Sequence, residues 1–257
     1  VRTMHGSNFA EIWHVPRLKS KLRMGLLGLS EVLATAIADR TVCVSTDTCR
    51  YYPGISSVIP NGVDLDCFYP CDVSEKVSNP TVLFVGTYHN RNRGKLLMKQ
   101  FQQVVRPQLP EAQLWMVCGD APEAEGVTVF GRVGTAKLGE LYRRATVFCL
   151  PSSYEGFGVP YVEALASGTP VVDTPNAGAR EVLEGGRYGR LTQPEQLGQA
   201  LVNVLSSCEQ RRYLREAGLR RARDFAWDRI VDAYERLYDE VAAHRPVQGR
   251  VAERAEA

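Results

Sequence analysis

The sequence predicts an α/β protein built around a doubly wound parallel sheet. Apolar runs of strand length alternate with stretches of helical period from one end of the chain to the other, the pattern of β-α-β units. The alternation is cleanest after residue 80, where strands are expected at 81–85, 112–118, 127–130, 146–150 and 169–173. A glycine-containing loop, Gly156-Phe157-Gly158, then joins an apolar run ending at Leu150 to Pro160, a residue suited to the first turn of a helix. Loops of that kind, beyond the carboxyl ends of the strands, are where such sheets bind ligands.

The elements follow in order. Val1–Met4 reads as a strand stub, and residues 16–39 as a long amphipathic helix opened by Pro16. Thr41–Ser45 forms a strand and Asp47–Tyr52 a short helix. From Ile59 the pattern breaks into Pro60-Asn61-Gly62, Phe68-Tyr69-Pro70 and a polar stretch to Pro80, which reads as a linker. Beyond it, helical patterns at about 94–107, 135–144, 160–167, 178–184, 194–206 and 208–223 separate or follow the strands. The part before the linker offers only two strand candidates and cannot by itself build a doubly wound sheet. A last helix spans Ala226–Ala243, with Trp227, Ile230, Val231, Tyr234 and Leu237 as its apolar face, and the tail from His244 is expected to fray.

Composition narrows the class. The 257 residues carry 31 Lys and Arg against 29 Asp and Glu, a net charge of +2, with 44% hydrophobic and 23% charged residues. That is an ordinary globular balance, and it excludes disorder throughout. The charges alternate instead of clustering as in a nucleic-acid binder. No apolar run approaches the length of a membrane span. The seven cysteines are scattered and none is spaced Cys-x-x-Cys, which favours a reducing cytoplasm over a disulfide framework or a zinc site. The chain opens at Val1 in mid-pattern, so an incomplete protein is expected.

The segment from Leu150 to Val172 carries the chemistry. Gly156 and Gly158 permit close backbone approach, and the free amides at the start of the next helix suit a phosphate or diphosphate. Glu155 and Glu163 bracket the loop with seven residues between them. Glu163, expected in the helix's first turn, is placed to accept hydrogen bonds from a polyol such as ribose, and Glu155 to face the loop mouth. Two glutamates alone are explained as a first-turn acid and a solvated loop residue; the surrounding residues point further.

Glu155-Gly156-Phe157-Gly158-Val159-Pro160-Tyr161-Val162-Glu163, followed by Ala-Leu-Ala-Ser-Gly-Thr-Pro-Val-Val, resembles the E-x7-E signature of retaining GT-B glycosyltransferases. Pro60-Asn61-Gly62-Val63-Asp64 with Phe68 and Pro70, Phe84-Val85-Gly86, Phe130-Gly131-Arg132-Val133, Pro151-Ser152 and Asn176-Ala177-Gly178-x-x-Glu181 match the family in the same order. The resemblance covers about residues 41–240. It implies a GT-B α/β fold, with one near-complete Rossmann-like C-terminal domain and a partial N-terminal one. The corresponding boundaries are a remnant of the acceptor domain at 1–59, a linker at 60–80, the donor domain at 81–225, a helix crossing back at 226–243 and a tail at 244–257.

The family's roles pass to matching positions. Glu163 would bind the ribose of a nucleotide sugar, the backbone of Gly156, Phe157, Gly158 and Val159 its diphosphate and hexose, and Glu155 the donor sugar near the reacting carbon. Gly86 marks the first strand end, and the backbone at Arg132 and Val133 would receive the base. Arg91, Arg93 and Lys95 are the candidates to neutralise the diphosphate, whose growing charge must be stabilised. The family often has Gly-Arg then Lys-Gly here, whereas Thr87 follows Gly86 and Arg93 precedes Gly94, so Arg93 takes the lysine-like role with Arg91 and Lys95 as alternates. Three cations at the unfavourable end of a helix point to an anion. His5, in Thr3-Met4-His5-Gly6, would reach the donor sugar across the cleft. Asp64-x-Asp66 reads as turn chemistry, not a metal motif.

The resemblance thus implies retaining, metal-independent hexosyl transfer from a UDP- or GDP-hexose, without a cofactor, to a sugar, lipid-linked or small-molecule acceptor. This fragment alone would bind donor with little or no transfer. The expected place is the cytoplasm, with peripheral association at the membrane's inner face through Arg17, Lys19, Lys21 and Arg23 as a secondary reading. A dinucleotide oxidoreductase would need G-x-G-x-x-G, and here Tyr161 stands at the third glycine's place. Walker-type phosphate binding fails because Leu96 follows Gly94-Lys95. A GT-B-type sugar-nucleotide epimerase shares the fold, and a non-catalytic nucleotide-sugar or protein-binding fragment is the alternative of another class.

Overall fold

The computed structural model describes residues 1–14, 17–55, 57–72 and 76–244. Two parallel arrays organise it. In the first, β1 (Arg2–Met4) pairs with β2 (Thr41–Cys43), and Val58 bridges to Cys43. Their crossover runs through α1 (Asn8–Glu11), a 3-10 turn (Ile12–His14) and α2 (Leu18–Ile37). Ser7 caps α1 by accepting the Phe9 N–H, and Ser45 caps α3 (Thr46–Cys49) by accepting that of Thr48. The expected helix start at Pro16 and the tail beyond residue 244 lie outside the described residues. Gly28 lets α2 settle on the Phe9 ring, since a Cβ there would meet it at 2.9 Å. Val32 packs against Met4, Cys43 and Tyr52, while much of the remaining apolar surface of α2 faces outward, with Leu18, Leu22, Leu26, Leu33 and Ile37 all exposed.

The second array is the expected doubly wound sheet. β3 (Thr81–Val85) lies between β4 (Gln113–Val117) and β6 (Val147–Phe148), and β5 (Val127–Val129) adds to the edge of β4. The pairs are parallel, with Leu83 opposite both Trp115 and Phe148. A bridge from Phe148 to Val171 leads on to β7 (Val172–Asp173), which pairs with β8 (Arg190–Leu191). Order therefore runs β5-β4-β3-β6-β7-β8, reversing direction between β3 and β6. Thr81-Val82-Leu83-Phe84 is buried along its length, as a central parallel strand covered on both faces must be.

After β3, α4 (Gly94–Gln100) continues through a π-helical stretch (Phe101–Val105) into α5 (Arg106–Gln108). Then come α6 (Thr135–Arg144) before β6, α7 (Val159–Ala166) before β7, and α8 (Ala177–Val182), α9 (Leu197–Ser206) and α10 (Cys208–Ala222) in sequence. Phe101, Leu114, Tyr142, Tyr161 and Leu201 are among the side chains that fill the core between the layers.

The last helix, α11 (Trp227–His244), returns to the first array. The Val63 N–H donates to the Phe225 carbonyl at 2.8 Å, tying the linker to the start of this crossing. Ile230 and Leu237 bury themselves against Val42 and Ile59, and the Tyr234 hydroxyl bonds Thr3 Oγ1 at 2.9 Å. Val231, expected on the buried face, is instead 47% exposed, because a residue one step from Ile230 turns about 100° around the helix. Ile230→Ala is expected to cost roughly 2–5 kcal/mol in urea unfolding. Val231→Ala is expected to stay within about 0.5 kcal/mol of the parent.

Candidate functional site

The reversal of strand order leaves a crevice beyond the carboxyl ends of β3 and β6. Two loops enter it. The first, after β3, folds over a buried side chain, Asn92, with Asn90 at φ 61° and Arg93 at φ 51°. Asn92 Oδ1 accepts the Thr87 N–H at 3.0 Å and the Thr87 hydroxyl at 2.9 Å. Its Nδ2 donates to Ser152 Oγ at 3.0 Å and to Glu155 Oε1 at 2.9 Å, which joins this loop to the second.

The second loop, after β6, carries Glu155, only 8% exposed, which also accepts from Ser152 Oγ at 2.8 Å. Burial raises the Glu155 carboxyl above its usual range, while Arg91, whose guanidinium is 4.0 Å away, and the Ser152 and Asn92 hydrogen bonds pull it back. Gly156 touches the first array, for a Cβ there would stand 3.0 Å from the His5 carbonyl oxygen. Its own carbonyl accepts hydrogen bonds from Ser45 Oγ and Thr48 Oγ1, and across the same boundary Glu181 takes the Thr46 N–H at 2.8–2.9 Å. Gly158, at φ 96°, ends the loop and starts α7, a backbone conformation that side-chain-bearing residues rarely adopt. Phe157 turns its ring into the core against Phe225, at 5.6 Å, leaving its backbone to the loop.

Between the arrays lies a cavity of about 420 Å³ whose walls include His5, Gly86, Arg91, Glu155, Gly156, Phe157, Gly158 and Val159. These candidates, distant in sequence, are thus brought together. His5 reaches in from the end of β1, its Nδ1 3.2 Å from Asn61 Oδ1. The walls also hold Glu11, Asn61 and Asn92, which sequence reasoning did not single out as site residues. Glu11 pairs with Arg91 at 3.1 Å. Asn61 had a signal in the Pro-Asn-Gly turn, whereas nothing local distinguishes Asn92 or Glu11.

The remaining candidates lie off these walls. Glu163 does not occupy the first turn of its helix: α7 begins at Val159, directly after the left-handed Gly158, so Glu163 is its fifth residue. Burial raises its carboxyl, and the neighbouring Tyr142 hydroxyl acts in the opposite sense. Arg93 directs its guanidinium to the Pro151 and Ser152 carbonyls and to Thr174 Oγ1, while Lys95 is exposed. Arg132 and Val133 follow β5 and Gly131, with Arg132 exposed and Val133 packed on the core. Asp64 Oδ1 accepts the Asp66 and Cys67 N–H groups at 2.9 and 3.3 Å, the turn expected of Asp64-x-Asp66.

A doubly wound sheet whose switch-point loops meet a second parallel array across a cleft is the GT-B architecture, and the chain has that α/β fold. Sucrose-phosphate synthase from Thermosynechococcus elongatus superposes with a TM-score of 0.78 at 24% identity, over 95% of this chain and 68% of that one. The Anabaena protein HepE, in complex with UDP and glucose, gives 0.73 at 18% identity, over 94% and 71%. In sequence, the phosphatidyl-myo-inositol mannosyltransferase of Mycobacterium tuberculosis H37Rv is 31% identical over 203 residues, 72% of this chain and 54% of the relative. The D-inositol 3-phosphate glycosyltransferase of Geodermatophilus obscurus is 32% identical over 264 residues, 86% and 57%. The chain spans about half the length of the curated relatives it matches. Residues 79–207 match the model of the glycosyl transferases group 1 family, and the chain belongs to that family.

Proposed function

We propose that the cleft binds a nucleoside diphosphate hexose and that the protein transfers its hexosyl group with retention, without a metal ion. The observation that carries this reading is the convergence of the Gly156–Val159 backbone, the buried Glu155 and Arg91 on one cavity at the switch point. Backbone amides there serve oxygen-rich groups, and a guanidinium on the same wall suits a diphosphate leaving group. Among the three cations expected to serve it, Arg91 takes the role, because Arg93 already serves neutral backbone oxygens and Lys95 lies outside the walls. Glu155 and His5 face the donor sugar, Glu163 holds the ribose, and Arg132 and Val133 offer backbone to the base. The acceptor hydroxyl passes its proton to the departing diphosphate. HepE's complex with UDP and glucose supports a UDP-hexose donor, and the mannosyltransferase and inositol 3-phosphate enzymes support hexosyl transfer to sugar-like or lipid-linked acceptors.

On this reading residues 1–59 and the returning helix belong to the acceptor side, 60–80 link the two parts, and 81–225 form the donor domain. No helix among the described residues is long and apolar enough to cross a membrane. A cytoplasmic place with access to the inner membrane face accords with the exposed apolar stripe and basic start of α2.

Calorimetric titration of UDP, GDP and ADP and their hexose conjugates, in EDTA, tests the reading. One nucleotide series is expected to bind, and Glu163→Ala and Arg91→Ala each to weaken it at least tenfold, about 1.4 kcal/mol. Loss of that binding in EDTA would overturn metal independence. Full-strength binding in both variants would remove the donor assignment, and a hexosyl product of inverted configuration would remove retention.

A further inference from the structure

A cavity of about 270 Å³ opens at the edge of the large sheet opposite the cleft, where Thr146 precedes β6 and Pro170 precedes β7. Lys76 from the linker and Arg211, Arg212 and Arg215 from α10 also line it. None of these cations is in an ion pair among the described residues, and no carboxylate stands on the walls. Glu209, their acidic neighbour on α10, lines a different cavity with Arg190 and Tyr213. Like charges gathered around one space repel each other, and an anion among them removes that repulsion.

Part of the hydrogen-bonding capacity of these groups is spent on the fold, and what remains defines the ligand. Lys76 Nζ donates to the Arg143 and Ala145 carbonyls at 3.0 and 2.6 Å and to Thr169 Oγ1 at 3.4 Å, all neutral oxygens. Its charge is thus held in place without being cancelled. Burial pulls the Lys76 ammonium down to about 8, against an opposing pull from Cys71 and with Arg215 and Arg211 adding to the fall. Arg215 spends two of the five N–H groups of a guanidinium, on the Gly168 carbonyl at 3.0 Å and the Cys71 carbonyl at 2.6 Å. Arg211 spends three, on the Val204 and Leu205 carbonyls and on Cys208 Sγ. Arg212 is exposed and makes no hydrogen bond to the described residues, so its whole fork is open. Thr146 Oγ1 accepts the Thr81 N–H at 3.0 Å and keeps its own proton to give. Every unspent group is a donor. A phosphate, with a charge of about −1.5 to −2 at pH 7 when it is a monoester, accepts from several sides at once and suits guanidinium forks.

We propose that this cavity is a second anion site, remote from the cleft, which takes a phosphate-bearing anion on the Arg212 guanidinium, the remaining N–H groups of Arg211 and Arg215 and the Thr146 hydroxyl. Inorganic diphosphate, with its larger charge, binds there more tightly than phosphate. The inference stands apart from the glycosyl-transfer reading, since no residue of the cleft takes part.

Acetylation of Lys76 reads this cavity and not the cleft, because only the neutral amine reacts and an anion beside it favours the ammonium form. The full chain is treated with acetic anhydride at pH 8, and modification of Lys76 is followed by mass spectrometry relative to the exposed Lys99 in the same sample. Inorganic phosphate, inorganic diphosphate and sodium chloride are compared at matched ionic strength. Diphosphate is expected to slow Lys76 at least fivefold, phosphate less, and chloride not at all. Arg212→Glu should remove the protection and Arg212→Lys keep most of it, both with the urea midpoint of the parent, since Arg212 holds no other part of the fold. Arg91→Ala, in the cleft, should leave the protection intact. Absence of protection, equal protection by chloride, or protection that survives Arg212→Glu overturns the inference. Protection lost in Arg91→Ala overturns it as well, by placing the anion in the cleft.

Discussion

Alanine at Gly178 is expected to lower stability by about 1–3 kcal/mol and to remove the nucleotide-sugar binding proposed for the cleft in the same variant. A Cβ at this position would stand 2.4 Å from the Phe157 carbonyl oxygen, 2.8 Å from its carbon and 3.0 Å from Glu155 Cβ. Those neighbours are backbone atoms and a Cβ fixed by its own backbone, so no side chain can swing aside. The Gly178 N–H also donates to the Glu155 carbonyl at 3.0 Å, which ties α8 to the glycine loop. Relief of the overlap must move the loop that forms the cavity wall. Gly25→Ala is the control: its Cβ would meet only Ile12, at 3.9 Å, within helix α2. Urea unfolding and calorimetry on both variants check the pair, and a Gly178→Ala protein as stable and as avid as its parent would refute the packing argument.

Asn92→Leu carries the second large effect, with an expected loss of about 3 kcal/mol at neutral pH and a melting temperature lower by roughly 6–12 °C. The substitution keeps the branched outline of the side chain but leaves the Thr87 N–H without its acceptor and Glu155 without one of its donors. Its pH dependence has a definite sign. The Glu155 carboxyl is already raised by burial in the folded protein, so ionising it opposes folding. Its contribution becomes more favourable as the pH falls through the folded pKa toward the unfolded value, and the penalty is complete above the folded pKa. Removing the Asn92 donor raises that carboxyl further. The destabilisation should therefore be larger at pH 8 than at pH 5, as read by urea midpoints at the two values. Equal losses at both would show that Asn92 does not act through the Glu155 carboxyl.

The centre of the sheet was legible because β3, β4 and β6 lie in near-continuous apolar runs and α6, before β6, keeps a 3.6-residue period. β8 escaped notice since Arg190–Leu191 is too short to show a period, and α1, four residues long, was hidden for the same reason. The loop was legible through its glycines: Gly158 must hold a positive φ, and Gly156 must admit the His5 carbonyl. Neither Asn92 nor Glu11 could be found this way, for their partners lie 63 and 80 residues distant.

The alternation of strands and helices and the place of the glycine loop follow from local pattern, because periodicity and backbone freedom are properties of neighbouring residues. Which cation faces the cleft was decided only in three dimensions. Arg91 and Arg93 are two residues apart in one loop, yet the left-handed backbone at Arg93 and the carbonyls of Pro151 and Ser152 direct its guanidinium beneath the second loop, while Arg91 is left on the cavity wall with Glu11 and Glu155. Side-chain direction there depends on packing between segments that the sequence separates, and no local pattern encodes it.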